Sequence, residues 1–148
     1  MVLGKGASSS LSRKMVDGVE NMVSNCNDFT VLVVDDDPVI RKLHDMHLKK
    51  FGLRAQVVEN GKKAVDLCHF GTIFNLILMD KEMPIMDGVE ATKELRAMGV
   101  NSLIVGVTSR DSQYETQTFM EAGLDFCFEK PLTADKISFI LQELNKKN

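Results

Sequence analysis

From Thr30 onward the chain alternates short apolar runs with longer stretches of mixed polarity. Thr30-Val31-Leu32-Val33-Val34 is apolar at consecutive positions and then ends in acids. A continuous, largely β-branched run of this length predicts a strand covered on both faces. Leu76-Ile77-Leu78-Met79-Asp80 and Leu103-Ile104-Val105-Gly106-Val107-Thr108 repeat that plan. Arg54-Ala55-Gln56-Val57-Val58 and Phe126-Cys127-Phe128 give two weaker strand signals.

The stretches between them carry helical spacing and helix starts. Asp37-Pro38 reads as an N-cap followed by proline in the first turn, with Val39, Ile40, Leu43 and Met46 as the apolar face. Asn60 caps a helix carrying Ala64, Val65 and Cys68. Asp87 and Glu90 have capping-box spacing ahead of Ala91, Leu95 and Met98. Ser112 and Glu115 repeat that spacing before a weakly amphipathic stretch. Thr133 caps a last helix whose Ile137, Ile140, Leu141 and Leu144 fall at i, i+3, i+4, i+7. Five strands alternating with five helices predict an α/β fold: a doubly wound parallel sheet with right-handed crossovers and helices on both faces.

The first 28 residues read differently. Gly4 to Ser10 is small and polar and buries too little surface to order itself; Met15, Val19 and Met22 mark a short helix. The expected organisation is a flexible tail over 1–28 and one domain over 29–148. A length of 148 residues fits one domain with a full core, and 44% hydrophobic content is globular. A net charge of −3 is too mild to point to nucleic acid. Cys26, Cys68 and Cys127 lie far apart without a CxxC pair, which speaks against zinc and disulfides. No apolar run approaches the roughly 20 residues of a membrane helix. The start lacks a signal-peptide h-region and Val2 excludes myristoylation. The expected location is the cytosol, with the nucleus as a second compartment.

In an open parallel sheet, ligands sit beyond the carboxyl ends of the strands. There the first strand ends in Asp35-Asp36-Asp37, the third in Asp80, the fourth in Thr108-Ser109 and the fifth in Lys130-Pro131. Clustered carboxylates repel unless a cation neutralises them. Mg²⁺ suits such a set, since it takes two or three carboxylates and keeps several waters. A carboxylate can itself attack phosphorus, a step that depends on charge neutralisation more than on covalent help. Mg²⁺, Lys130 and the Thr108 hydroxyl would supply it. Acids at strand ends also occur as solvated loop residues, and Asp37 reads as a helix cap. Four strand ends offering acid, acid, hydroxyl and ammonium together favour chemistry.

These residues resemble the receiver domain of two-component response regulators. The matching stretches are Val31 to Asp37, Leu78 to Gly88, Val107-Thr108-Ser109 and Glu129 to Leu132, and the similarity runs from about Thr30 to Leu144. The resemblance implies a flavodoxin-like sheet of strand order 2-1-3-4-5. It implies that Asp80 is the phosphoacceptor, Asp36 a direct Mg²⁺ ligand, Asp35 the holder of metal-bound water, and the Glu82 backbone carbonyl a further ligand. Thr108 would be the switch hydroxyl and Lys130 the cation that meets the phosphoryl group, with a cis Lys130-Pro131 bond. Glu82 and Arg110 would flank the hydrolytic water and tune the phosphoryl lifetime.

The chain is most similar to stand-alone type-C regulators of plant multistep phosphorelays, with cytokinin signalling as the setting. The implied partner is a histidine-containing phosphotransfer protein, fed by an upstream hybrid histidine kinase and docked on the strand-end loops and first helix. A phosphatase-like drain on that partner, or a receiver fragment of a hybrid kinase, stay open. Where the family usually has Tyr or Phe three residues before the lysine, this chain has Cys127, and strand alternation keeps Phe126 and Phe128 off that face. His44 and His47, at i, i+3 without a third ligand, read as rim residues rather than a metal site. A dehalogenase-like phosphatase would need a second Asp two residues after Asp80 as general acid, and this chain has Glu82 there, followed by Met83-Pro84, which fits poorly. A flavodoxin would need a hydroxyl-rich phosphate loop where three acids stand. An interaction module with a dead site sits badly with the intact set of acids, Thr108 and Lys130.

Overall fold

The computed structural model describes residues 29–109 and 112–147. The expected tail and its short helix, Cys26, and Arg110 lie outside the described residues. Five strands, β1 (Thr30–Val34), β2 (Arg54–Val58), β3 (Leu76–Asp80), β4 (Leu103–Thr108) and β5 (Phe126–Glu129), alternate with five helices. The helices are α1 (Pro38–Lys50), α2 (Gly61–His69), α3 (Gly88–Ala97), α4 (Gln113–Glu121) and α5 (Ala134–Lys147). All strand pairs are parallel and the sheet order is β2-β1-β3-β4-β5, as the resemblance implied. No helix among the described residues is long and apolar enough to cross a membrane.

The period of two along each strand divides the core. Val31, Val33, Leu76, Leu78, Leu103, Val105 and Val107 face α1 and α5, meeting Leu48 and the stripe Ile137, Ile140, Leu141, Leu144. Leu32, Val34, Ile77, Met79 and Ile104 face α2, α3 and α4, meeting Ala64, Val65, Ala91, Leu95 and Phe119. The outer strands β2 and β5 are half-buried to exposed, which is why their sequence signals were weak. In β5, Phe126 and Phe128 pack toward the first cluster and Cys127 toward the second, in register with Gly106. A Cβ on Gly106 would come within 2.6 Å of Phe119 Cε2 and 2.4 Å of Leu124 Cδ1. Glycine there opens the slot that buries Phe119, the one fully buried side chain of α4. That slot explains how a weakly amphipathic helix stays docked.

The caps form as expected. Asp37 accepts from the Val39 N–H, Asn60 from Lys63, Asp87 from Glu90, Ser112 from Glu115 and Thr133 from Lys136. The face of α1 differs from expectation. Val39 is 70% exposed and Met46 47%, while His44 and Leu48 are buried and Ile40 and Leu43 half-buried. Counting apolar residues chose a stripe through 39 and 46; the helix instead turns its 40-44-48 stripe inward, because His44 has a polar partner there. Met98 likewise falls at the C-cap of α3, partly exposed, and not on its buried face.

Candidate functional site

Parallel strands bring their carboxyl ends to one edge of the sheet, and the strand-end residues meet there. Asp35 follows β1, where its N–H donates to Val58 O at 3.1 Å. One of its carboxylate oxygens accepts the Asp37 N–H at 2.9 Å, and its backbone carbonyl accepts from Arg41 Nη1 at 2.7 Å. Asp80 ends β3, the central strand, all of whose residues are buried. Asp35 and Asp80 are each only 2% exposed.

Lys130 Nζ lies 3.1 Å from Asp35 Oδ2 and 3.0 Å from Asp80 Oδ1, so one ammonium serves two buried acids. Its backbone N–H donates to Thr108 O at 2.8 Å, fastening the residue after β5 to the end of β4. Thr108 is buried and the Lys130-Pro131 bond is cis. Carboxylate oxygens of Asp35, Asp36 and Asp80 lie within 4.8 Å of one another, Asp36 being the exposed member. Glu82 is exposed in the loop after β3 and outside that cluster of side chains. Asp37 is a cap, as expected. The pairing expected between Glu82 and Arg110 involves a residue outside the described ones.

The electrostatics are unbalanced: three carboxylates face one ammonium. Burial pushes the Asp80 carboxyl up to about 7; the Asp35 charge adds to this, Lys130 opposes it, and Asp36 adds again. Burial pulls the Lys130 ammonium down, but its hydrogen bond and charge pairing with Asp80, then with Asp35, outweigh that and leave it above the ordinary lysine value. Asp80 Oδ2 is buried with no hydrogen-bond partner among the described residues. Buried polar oxygens are normally satisfied. An unpartnered carboxylate oxygen inside an acidic cluster is consistent with a place for a hard cation.

Three residues near the site carry roles that strand-end reasoning missed. Gly88, first in α3, donates its N–H to Lys81 O at 2.7 Å, and a Cβ there would sit 2.1 Å from Asp80 O. Only glycine lets α3 press against the backbone that carries Asp80. His44, expected at the rim, is 1% exposed, and its Nε2 accepts the Leu132 N–H at 3.1 Å, two residues past Lys130. Burial holds its pKa down at about 4, so it stays a neutral acceptor. Lys81 reaches Glu115 on α4 at 3.2 Å. The signal for His44 was its i, i+4 spacing to the buried Leu48; Gly88 and Lys81 had none that a single sequence shows. A cavity of about 650 Å³ lies away from all of this chemistry, lined by Cys68, Ile73, Phe74, Met98 and Ser102 among others.

Comparison with known proteins gives the same picture. The response regulator receiver domain family matches residues 31–142. The two-component response regulator ARR22 of Arabidopsis thaliana is 54% identical over 116 residues, covering 77% of this chain and 82% of that protein. Two-component response regulator 24 of the same plant is 51% identical over 116 residues, covering 78% and 84%. Among solved structures, the receiver domain of sensor histidine kinase PA1611 from Pseudomonas aeruginosa superposes with a TM-score of 0.71 at 28% identity, over 80% of this chain and 98% of that one. That structure has a magnesium ion coordinated in its active-site cleft. With acids, hydroxyl and lysine gathered at one sheet edge and a family match across nearly the whole described region, the chain belongs to the response regulator receiver domains, close to those of plant two-component regulators.

Proposed function

We propose that the domain, residues 29–148 preceded by a tail, accepts a phosphoryl group onto Asp80 from the phosphohistidine of a histidine-containing phosphotransfer protein in a multistep phosphorelay. It then loses the group by Mg²⁺-dependent autodephosphorylation, working in the cytosol or nucleus. The observation that carries this reading is Asp80 itself. It is a buried carboxylate at the end of the central strand, with one oxygen on Lys130 and the other unpartnered beside two further acids.

Asp35, Asp36 and Asp80 fit a Mg²⁺ ion, with the Glu82 carbonyl as the remaining protein ligand. Bound there, Mg²⁺ neutralises the acids and the charge on the transferred group. The Asp80 carboxylate attacks phosphorus as the P–N bond to the donor imidazole breaks. The bonding electron pair stays with that imidazole, and the product is an acyl phosphate. Lys130, already 3.0 Å from Asp80, is in reach of the new phosphoryl oxygens. Thr108, at the end of the neighbouring strand, supplies a hydroxyl to one of them. Glu82 and Arg110 tune how long the phosphoryl group survives. The partner docks beside the site, where Val39 on the first turn of α1 and Ile85 in the loop after β3 are 70% and 79% exposed. Ile85 stands at φ +73 beneath a Met86 N–H to Pro84 carbonyl bond, a strained turn that holds it outward.

Acetyl phosphate with Mg²⁺ should label the full chain, and Asp80→Asn should abolish the label. Absence of label in the wild type, or its persistence in Asp80→Asn, refutes the reading. Following label on both proteins after mixing with a phosphorylated phosphotransfer protein then separates a stable switch from a drain.

A further inference from the structure

Lys81 directly follows Asp80, and its polar groups reach three different elements. Its N–H donates to Val107 O in β4 at 3.1 Å. Its carbonyl accepts from Gly88 N at the start of α3 at 2.7 Å. Its ammonium lies 3.2 Å from Glu115 Oε1 in the first turn of α4. The two side chains are 17% and 29% exposed, against 54% and 43% for the surface pair Lys62–Asp66. The pair also spans 34 residues of sequence, where Lys62–Asp66 spans a single helical turn. Glu115 is tied a second time through its own N–H to the Ser112 cap.

The connection from β4 to α4 therefore has both ends fastened to one residue. Val107, just before Thr108, accepts the Lys81 N–H, and Glu115, just after the Ser112 cap, meets the Lys81 ammonium. The Lys81 backbone is held by β4 and α3 and has little freedom of its own. We propose that Lys81, through Glu115, is the positioning residue that couples the chemical state of Asp80 to the placement of the first turn of α4. Without the strap, a shift of Thr108 toward a phosphoryl group would not be passed on to α4. With it, the shift reaches α4. Helix α4 also has its Ser112 cap and the buried Phe119 to hold it, so removing the pair should not unfold it. The proposal rests on Asp80 being the phosphoacceptor and adds the route by which its state is read.

The chain carries its own probe. Tyr114, next to Glu115 and 79% exposed, is the single tyrosine, and there is no tryptophan. Intrinsic fluorescence of the full chain thus reports the first turn of α4. Mg²⁺ and beryllofluoride are titrated while ¹⁹F NMR follows occupancy of Asp80. Wild type should change its Tyr114 fluorescence in step with the bound-fluoride signal. Lys81→Met and Glu115→Gln should keep the fluoride signal but lose the fluorescence response about fivefold, as expected for a partly shielded ion pair. The charge reversal Lys81→Glu with Glu115→Lys should restore it. Full responses in both single variants, no response in wild type despite bound fluoride, or no rescue by the reversal each overturn the proposal. A wild-type chain with no bound-fluoride signal refutes the phosphoacceptor reading instead.

Discussion

Two buried groups pull the stability of this fold in opposite directions across one pH interval, and separating them tests the electrostatics of the site. The His44 pKa of about 4 stands against an ordinary 6.5; burial is the main cause, Asp35 opposes it, and Lys130 and His47 add to it. The folded protein therefore binds this proton less readily than the unfolded chain. Its stabilising contribution is complete above pH 6.5 and is lost as pH falls through 6.5 toward 4, at about 1.4 kcal/mol per pH unit. Asp80 behaves oppositely. Its carboxyl rises from 3.8 to about 7, so the folded protein binds that proton more tightly. That contribution is present below pH 3.8 and is lost as pH rises through 7, with the same slope reversed. Upper bounds are about 3 kcal/mol for His44 and about 4 kcal/mol for Asp80.

In chelator, with no divalent metal, the two slopes nearly cancel between pH 4 and 6.5 and the wild-type profile should be close to flat there. His44→Gln keeps an acceptor for the Leu132 N–H and removes the titration. Its stability should fall by about 2 kcal/mol from pH 4.5 to 6.5 as the Asp80 limb is exposed. Asp80→Asn should rise by a similar amount over the same range. Urea unfolding at fixed ionic strength measures both. Profiles for the two variants that parallel wild type would refute this account of the buried site.

Gly88→Ala should cost about 3 kcal/mol, because its Cβ would meet the Asp80 carbonyl at 2.1 Å and backbone offers no rotamer to yield; a urea midpoint within error of wild type contradicts this. Val39→Asp should leave acetyl phosphate labelling intact yet slow transfer from a phosphotransfer protein about tenfold or more, as loss of an interface anchor does. Equal transfer rates would put the docking surface elsewhere.

What could be read from the sequence divides along physical lines. Strands buried on both faces write themselves as unbroken apolar runs, so β1, β3 and β4 were legible, and parallel pairing then sends Asp35, Asp36, Asp80, Thr108 and Lys130 to one edge. Caps were legible because Asp, Asn, Ser and Thr declare them locally. The inward face of α1 was not, because a buried histidine looks polar in a pattern, and its partner, the Leu132 N–H, lies 88 residues away. Nor was the need for Gly88 and Gly106. A glycine required by close approach reads like one required by a turn until the approaching atoms, Asp80 O and Phe119, are located.

The site gains its chemistry by leaving local interactions unfinished. A second lysine, or an amide donor at Asp80 Oδ2, would settle the charge and also occupy the lone pairs that a metal ion or phosphorus needs. Asp35 and Asp80 can be held close and buried only because they stand on elements whose stability comes from elsewhere. β3 is apolar on both faces, with Leu78 in one cluster and Ile77 and Met79 in the other, and α3 is driven against its end by a glycine. The same rigidity constrains how a change at Asp80 can travel. Strand β3 is buried throughout, so on the proposed reading a signal leaves through groups at its edge: the hydroxyl end of β4, the lysine after β5, and the side chain of residue 81. The charge imbalance at the acids and the ion pair on α4 both follow from placing a carboxylate at the end of a strand buried on both faces.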